Sequence, residues 1–186
     1  MVKRCEWACG NELEKQYHDT EWGKPIYDDT LLFEFLILEG AQAGLSWSTI
    51  LTKRENYRTA FDHFNAEIIS HYDQKKIDSL LADTGIIRNK LKIHSVISNA
   101  KAFLAVRAEH NTFSDFIWDF VDHQPIQNSW EHFADIPTQT DISNKMSVAL
   151  KKRGFKFVGP TICYAFMQAV GMVNDHTTDC FKYSEI

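Results

Sequence analysis

Four residues able to bind a soft metal flank this chain: Cys5 and His18 near its start, His176 and Cys180 near its end. His176 and Cys180 are four apart, so a helix or a tight turn places them on one face. Cys5 and His18 have twelve residues between them, and only a folded chain brings them together. Two thiolates and two imidazoles form a regular tetrahedral zinc set. With all four positions taken by protein, such an ion is structural rather than catalytic, and it would tie the two ends of the chain together. Spacing alone leaves a second reading open, two unrelated Cys/His pairs, because zinc motifs rarely split their ligands over so long an insert.

Glu39 is a second chemical candidate. It is the one charge in the twelve residues from Leu36 to Trp47, LILEGAQAGLSW. A carboxylate buried in such a run needs a partner or a task. A third candidate is ALKKRGFKFVGPTICYAFMQAVG, which reads helix, glycine-containing turn, helix. Gly159 permits close backbone approach. Free N–H groups at the start of the following helix, near Thr161, favour an anion such as phosphate. Lys151, Lys152, Arg153 and Lys156 gather positive charge just before the turn. Together these form a cradle able to track a DNA backbone without reading bases. An ordinary helix–turn–helix corner with a solvated basic face fits the same residues.

These groups must be positioned by a core, and the composition supplies one. The chain has 186 residues, 44% hydrophobic and 13% aromatic, with thirteen Phe and five Trp. That is one domain or two small lobes, with aromatics to spare for a pocket wall. The net charge of −5 excludes a protein coated in nucleic acid, so any DNA contact is a local patch. Four scattered cysteines do not form a secreted disulfide pattern. No leader-like apolar run opens the chain, and no stretch reaches the roughly 18 apolar residues of a membrane span. A soluble, cytoplasmic protein is expected. In a reducing compartment, cysteine near histidine holds metal rather than oxidises.

Helical periodicity dominates. Residues 28–45 begin with cap candidates Asp28 and Asp29 and run apolar through Leu38. Residues 46–64 place Trp47, Ile50, Leu51, Tyr57, Ala60 and Phe61 at helical spacings. Residues 66–72 and 73–85 read as two short helices, the second stopped by Gly85, and 88–110 as an amphipathic helix. Residues 114–123 form a short apolar one, and 128–141 are irregular around Pro137. Residues 141–154 are capped by Asp141 or Ser143 and stop at Gly154, and 161–171 form a buried helix. The expectation is an all-α protein of about eight to ten helices.

Four strings carry a resemblance: RCEWACGNELEKQYHDTEWGKP, LFEFLILEGAQAGLSWSTILTKRENYRTAF, TGIIRNKLKI and LKKRGFKFVGPTICYAFMQAVGMVNDH. From Arg4 to Cys180 the chain resembles the 3-methyladenine DNA glycosylase I family, of the helix–hairpin–helix glycosylase superfamily. The resemblance implies two helical lobes with a cleft between them. One lobe comes from the terminal segments, about 1–30 and 160–186, and one from about 31–159, leading into the hairpin. It makes FKFVGP the DNA-anchoring hairpin, with Lys156, Gly159 and Thr161 at the backbone. It makes Cys5, His18, His176 and Cys180 the ligands of one structural zinc per chain, with Cys9 a bystander.

It also implies an activity, excision of 3-methyladenine from alkylated double-stranded DNA by a monomer. Methylation at N3 makes the base cationic and weakens its bond to the sugar, so protonating the leaving group is unnecessary. The protein must flip the nucleotide out and choose it over adenine. A cationic base favours aromatic faces, at ~0.5–2 kcal/mol per ring, and a carboxylate. By resemblance Glu39 is the base-recognising acid, with Tyr17 and Trp47 as companions. Trp7 and Trp22 wall the pocket or simply pack the core. Gly44 and Leu45, after Gln42, fill the gap left by the flipped base, or form only a loop.

Asp175 is the one acid near the place where the superfamily carries a catalytic aspartate, and a supporting role beside His176 competes with catalysis there. Thr161 and Ile162 stand where some relatives carry a lysine nucleophile, which predicts hydrolysis without strand cleavage. The competing readings are a non-catalytic DNA-binding module and a glycosylase of another base specificity, 7-methylguanine or uracil.

Overall fold

The computed structural model describes residues 2–185. Among them nine α-helices form: α1 Glu12–Thr20, α2 Asp29–Gln42, α3 Trp47–Ala60, α4 Ala66–Ile69, α5 Gln74–Ala82, α6 Lys90–His110, α7 Phe113–Trp118, α8 Asp141–Lys152 and α9 Pro160–Ala169. The chain is mostly helical. One departure from the all-α expectation is a two-residue parallel pairing of β1, Ile126–Gln127, with β2, Val173–Asn174. It forms because the stretch after α7 crosses to lie beside the strand-like exit of α9, where Ile126 N–H reaches the Met172 carbonyl at 3.0 Å.

α2 is the axis. Every residue from Leu32 to Ala41 is buried, so this helix is enclosed on all sides and must sit centrally. α3, α6, α7 and α9 pack around it. Asp28 caps it, accepting from Leu31 N–H. Asp29, the other cap candidate, serves α7 instead: its carboxylate accepts from the N–H groups of Phe113 and Ser114. A chain of rings from Phe33 through Phe103 and Phe113 to Phe155 runs from α2 to the turn after α8. Each buried ring contributes about 1.5–3 kcal/mol.

Two boundary expectations are corrected. The cap of α8 is Thr140, one residue before Asp141, because Thr140 and Ser143 close a reciprocal capping box. α5 ends at Ala82 with Asp83 as its C-cap, ahead of Gly85, because the Asp83 carboxylate accepts from Gly85 N–H. Gly154 does end α8. At φ +94 it lets Gly154 N–H reach the Lys151 carbonyl and Phe155 N–H reach the Leu150 carbonyl. α1 was not apparent from periodicity, since its face to the core is narrow: only Tyr17 and His18 are buried.

Candidate functional site

α2 carries two buried carboxylates in opposite circumstances. Glu34 is 4% exposed and accepts from Arg54 Nε at 2.6 Å and from Arg58 Nη2 at 2.8 Å. Glu39 is 3% exposed, and its Oε2 has no hydrogen-bond partner among the described residues. Burial alone pushes the Glu39 carboxyl up to about 8. An unpaired buried carboxylate is costly, so its presence marks a place where something else completes it.

That place is a cavity of about 280 Å³. Glu39 and Gln42 line it from α2, and Glu14 and Tyr17 from α1. Trp7 and Trp22 come from the turns on either side of α1, and Trp47 from the start of α3. α9 adds Ala165 and Gln168, and the irregular 128–140 stretch adds Phe133 and Ile136. The Tyr17 ring lies 5.4 Å from Trp47, and Trp7 meets Trp22 edge-on at 5.0 Å. Tyr17 Oη and Trp47 Nε1 are buried and, like Glu39, unpartnered among the described residues. Burial first, and then the nearby Glu39, raise the Tyr17 phenol well above its ordinary value. Two unused donors and one unused carboxylate oxygen thus face a ring-walled hollow. It fits a flat, partly polar ligand with positive charge.

Behind this wall lies the Cys/His cluster. Cys5, His18, His176 and Cys180 are all buried, and their ligand atoms lie within 4.8 Å of one another. Cys5 Sγ is 3.5 Å from His176 Nδ1, and Cys180 Sγ is 3.4 Å from His18 Nε2 and 3.6 Å from His176 Nδ1. A tetrahedral ion at about 2.3 Å from sulfur and 2.0–2.1 Å from nitrogen implies edges of roughly 3.6 Å. The donor set can therefore hold a metal ion. Without a cation the contact between the sulfurs holds Cys180 low, and the same contact, with burial, pushes Cys5 up. A divalent ion removes that conflict by letting both ionise. His18 Nδ1 faces Asp19 Oδ1 at 2.9 Å, and Arg4 grips the same carboxylate, which fixes the ring as metal-bound histidines require. Cys9 is exposed and outside the cluster. The cluster and the cavity share a wall: the Trp22 ring packs on His176 at 4.6 Å, and Tyr17 precedes His18 on α1.

The turn between α8 and α9 holds Lys156 and Gly159 at or near the surface, and Thr161 is exposed in the first turn of α9. Gly159 is the N-cap of α9, with Pro160 behind it, so the first N–H groups of the helix carry no side-chain cap. Two residues beyond the reach of sequence reasoning pin this turn. Asn99 accepts from Lys156 N–H at 2.7 Å and donates to its carbonyl at 3.0 Å, while Ser147 Oγ donates to the Val158 carbonyl at 2.6 Å. A Cβ on Gly40 would stand 3.2 Å from Phe157 Cβ, so α2 touches the turn one residue from Glu39. At the end of α2, Gly44 has φ +78 and Leu45 is 41% exposed. Lys92 Nζ holds this end by donating to the carbonyls of Ala41 and Ala43, each at 2.7 Å.

Asp175 lies outside the cavity lining. Its carboxylate accepts from Asn128, Trp130, Tyr164 and Gln168. Gln168, Glu14, Phe133, Ile136 and Ala165 line the cavity without having stood out in the sequence. The spacing of Ala165 and Gln168 on one helix face was the available signal.

The family model described as methyladenine glycosylase matches residues 7–183. A DNA-3-methyladenine glycosylase of Haemophilus influenzae is 48% identical over 180 residues, 97% of each chain. A crystal structure of a 3-methyladenine DNA glycosylase I superposes with a TM-score of 0.94 at 51% identity, covering 96% of this chain and 98% of the other. A second 3-methyladenine DNA glycosylase I, solved as a variant in complex with 3-methyladenine, gives a TM-score of 0.94 at 34% identity over 97% of both chains.

Proposed function

We propose that this chain, which belongs to the methyladenine glycosylase family, excises 3-methyladenine from alkylated DNA with Glu39 as the group that selects the base. The observation that carries the reading is a buried, unpartnered carboxylate in a cavity walled by tryptophan and tyrosine. Within DNA, 3-methyladenine is a cation and adenine is not. A carboxylate removed from water attracts a cation strongly, whereas a neutral ring offers it a hydrogen bond without that charge attraction. Glu39 accepts from N–H groups on the base edge, Tyr17 and Trp47 donate to its acceptors, and Trp7 and Trp22 close the wall. The base leaves as a neutral purine, so neither a general acid nor a metal takes part in bond cleavage.

DNA reaches the cavity through two surface features. Lys156, the backbone at Gly159 and the open N–H groups beside Thr161 take the phosphates. Gly44 and Leu45 fill the space that the flipped nucleotide vacates. We assign the hairpin to a helix–hairpin–helix glycosylase fold of two lobes, about 1–30 with 160–186 and about 31–159, the cavity lying between them. One chain contains every element of the site, so a monomer suffices. Thr161 and Ile162 offer no amine for a Schiff base, so the strand stays intact. Both oxygens of Asp175 are engaged by donors, which argues against its acting as a base.

Zinc is the ion that two thiolates and two imidazoles at these spacings suit best. When bound, it supplies a rigid crosslink and no catalytic chemistry, since all four positions are protein. Cys5 and His18 hold the N-terminal segment and His176 and Cys180 the C-terminal one, so Tyr17 and Trp22 are braced from behind.

Three unused polar atoms facing one cavity disfavour a DNA-binding module without chemistry. The test is product analysis on duplex DNA treated with a methylating agent. Free 3-methyladenine above the spontaneous rate, abasic sites and unbroken strands are expected. Release of 7-methylguanine or uracil in its place would reassign the specificity, and no release from folded protein would reject the reading.

A further inference from the structure

Gln168 stands in the cavity wall with its amide already committed on one side. Its Nε2 donates to Asp175 Oδ2 at 2.7 Å. Tyr164, one helical turn earlier on α9, donates to the same oxygen at 2.7 Å. Trp130 Nε1 at 2.8 Å and Asn128 Nδ2 at 2.6 Å occupy Oδ1. The indole of Trp130 can only donate, so this cage is an acceptor surrounded by donors. Four donors fill the lone pairs of a carboxylate. The amide of Gln168 therefore faces Asp175 with its nitrogen, which leaves its carbonyl oxygen outside that cage. Gln168 lines the cavity, and its Oε1 accepts no hydrogen bond from any described residue. Exposure separates it from the two buried polar groups of the lining, Glu39 and Tyr17. Glu39 and Tyr17 are buried, whereas Gln168 is half-buried and so nearer the mouth. With a base seated on Glu39, the mouth is where the sugar lies.

We infer that Gln168 Oε1 positions the water that attacks the sugar, and that Asp175 with its cage is the device that fixes this orientation. The inference rests on the base-excision reading above. As the bond from C1′ to the base nitrogen breaks, its electron pair leaves with the base, which becomes neutral, and the positive charge passes to the sugar. The water oxygen then bonds to C1′, and one water proton departs to solvent. An amide oxygen is too weak a base to take that proton. It accepts a hydrogen bond and aims the lone pair, which is enough for a nucleophile meeting a cation. Asp175 is a positioning residue, acting through Gln168. This explains why a carboxylate beside the site is enclosed by four donors instead of open to the substrate.

The experiment is single-turnover excision of 3-methyladenine from duplex DNA, run in water and in water–methanol mixtures, with wild type and Gln168→Leu. Methanol competes as the nucleophile, and the ratio of methyl glycoside to abasic sugar reads how firmly water is held. Gln168→Leu is expected to slow excision about tenfold, the worth of one hydrogen bond in the reacting state. It should also raise the methanol fraction and leave affinity for a duplex containing an uncleavable abasic analogue unchanged. Gln168→Met, similar in length and lacking the acceptor, gives the same reading if the leucine variant melts early. Asp175→Asn, which can face Gln168 with its own N–H and let the amide turn, should move rate and partition the same way. Its metal content and melting temperature are measured alongside. Unchanged rate and partition in a folded Gln168→Leu protein overturn the inference, as does a loss confined to DNA affinity. A wild type that releases no base sinks the parent reading as well, so the two failures are distinct.

Discussion

Glu34 and Glu39 share a helix and a degree of burial, and they differ in partners. Glu34 is neutralised by Arg54 and Arg58, whereas Glu39 has only a cavity beside it. The Glu39 carboxyl, pushed up to about 8 by burial, holds its proton more tightly than an ordinary carboxyl does. A cationic base needs the ionised form. The kcat/KM for 3-methyladenine in DNA should therefore climb with pH and level off above about 8, and Glu39→Gln should lose that slope. A wild-type profile flat from pH 6 to 9 would contradict this.

Stability runs the other way. Between the ordinary carboxyl value of 4.5 and about 8, the native state binds the Glu39 proton more tightly than the unfolded chain does, so stability falls as pH rises through that window. Glu39→Gln, which does not titrate, should melt above wild type by a margin that widens from pH 5 to pH 8, read in paired thermal melts. Glu39 itself was legible in the sequence as a lone charge in an apolar run. Its contrast with Glu34 was not, because arginines on another helix supply the partners and only tertiary packing brings them near.

At the scale of elements, the α8–α9 turn, the proposed phosphate contact, is held from beneath by Asn99 and Ser147. Its exposed lysine and its buried pins have separable effects. Lys156→Ala should weaken DNA binding evenly across sequences and reduce the slope of log affinity against log salt by about one. An unchanged slope in a salt titration would remove Lys156 from the interface. Asn99→Ala should leave Lys156 in place and still cost binding, since the turn loses both of its bonds to Asn99.

Two glycines give a graded check of the backbone. Gly154 has φ +94 and open space where a Cβ would go, so Gly154→Ala should cost about 1–2 kcal/mol, the strain alone. Gly171 has φ +72, and a Cβ there would meet the Lys24 carbonyl carbon at 2.3 Å, so Gly171→Ala should cost clearly more in denaturant unfolding. Helix–turn–helix was readable from periodicity and from Gly154. The pins were not, because Asn99 lies far along the chain on α6 and nothing local distinguishes it.

For the molecule as a whole, the Cys/His cluster joins the chain ends and lies against the cavity wall. Phe181 N–H also reaches the Lys3 carbonyl at 3.0 Å, so the ends meet even apart from the side chains. About one zinc per chain is expected by elemental analysis. Its removal by chelation, or Cys180→Ser, should lower the melting temperature and weaken 3-methyladenine binding together, because Trp22 rests on His176 and Tyr17 precedes His18. A metal-free protein of full stability would refute the crosslink. The ligand pairs were visible as residue types at the two ends, but spacing could not join them across the intervening chain, and only the fold does so. No helix among the described residues is long and apolar enough to cross a membrane.

The most direct measurement is single-turnover release of 3-methyladenine from alkylated duplex DNA by wild type and Glu39→Gln at saturating protein. The expected result is release well above the spontaneous rate by wild type and a loss of roughly 10- to 100-fold in the variant, the worth of a hydrogen bond to a charged group, with fold and DNA affinity retained. Equal rates from the two proteins would contradict the assignment of base selection to the buried anion.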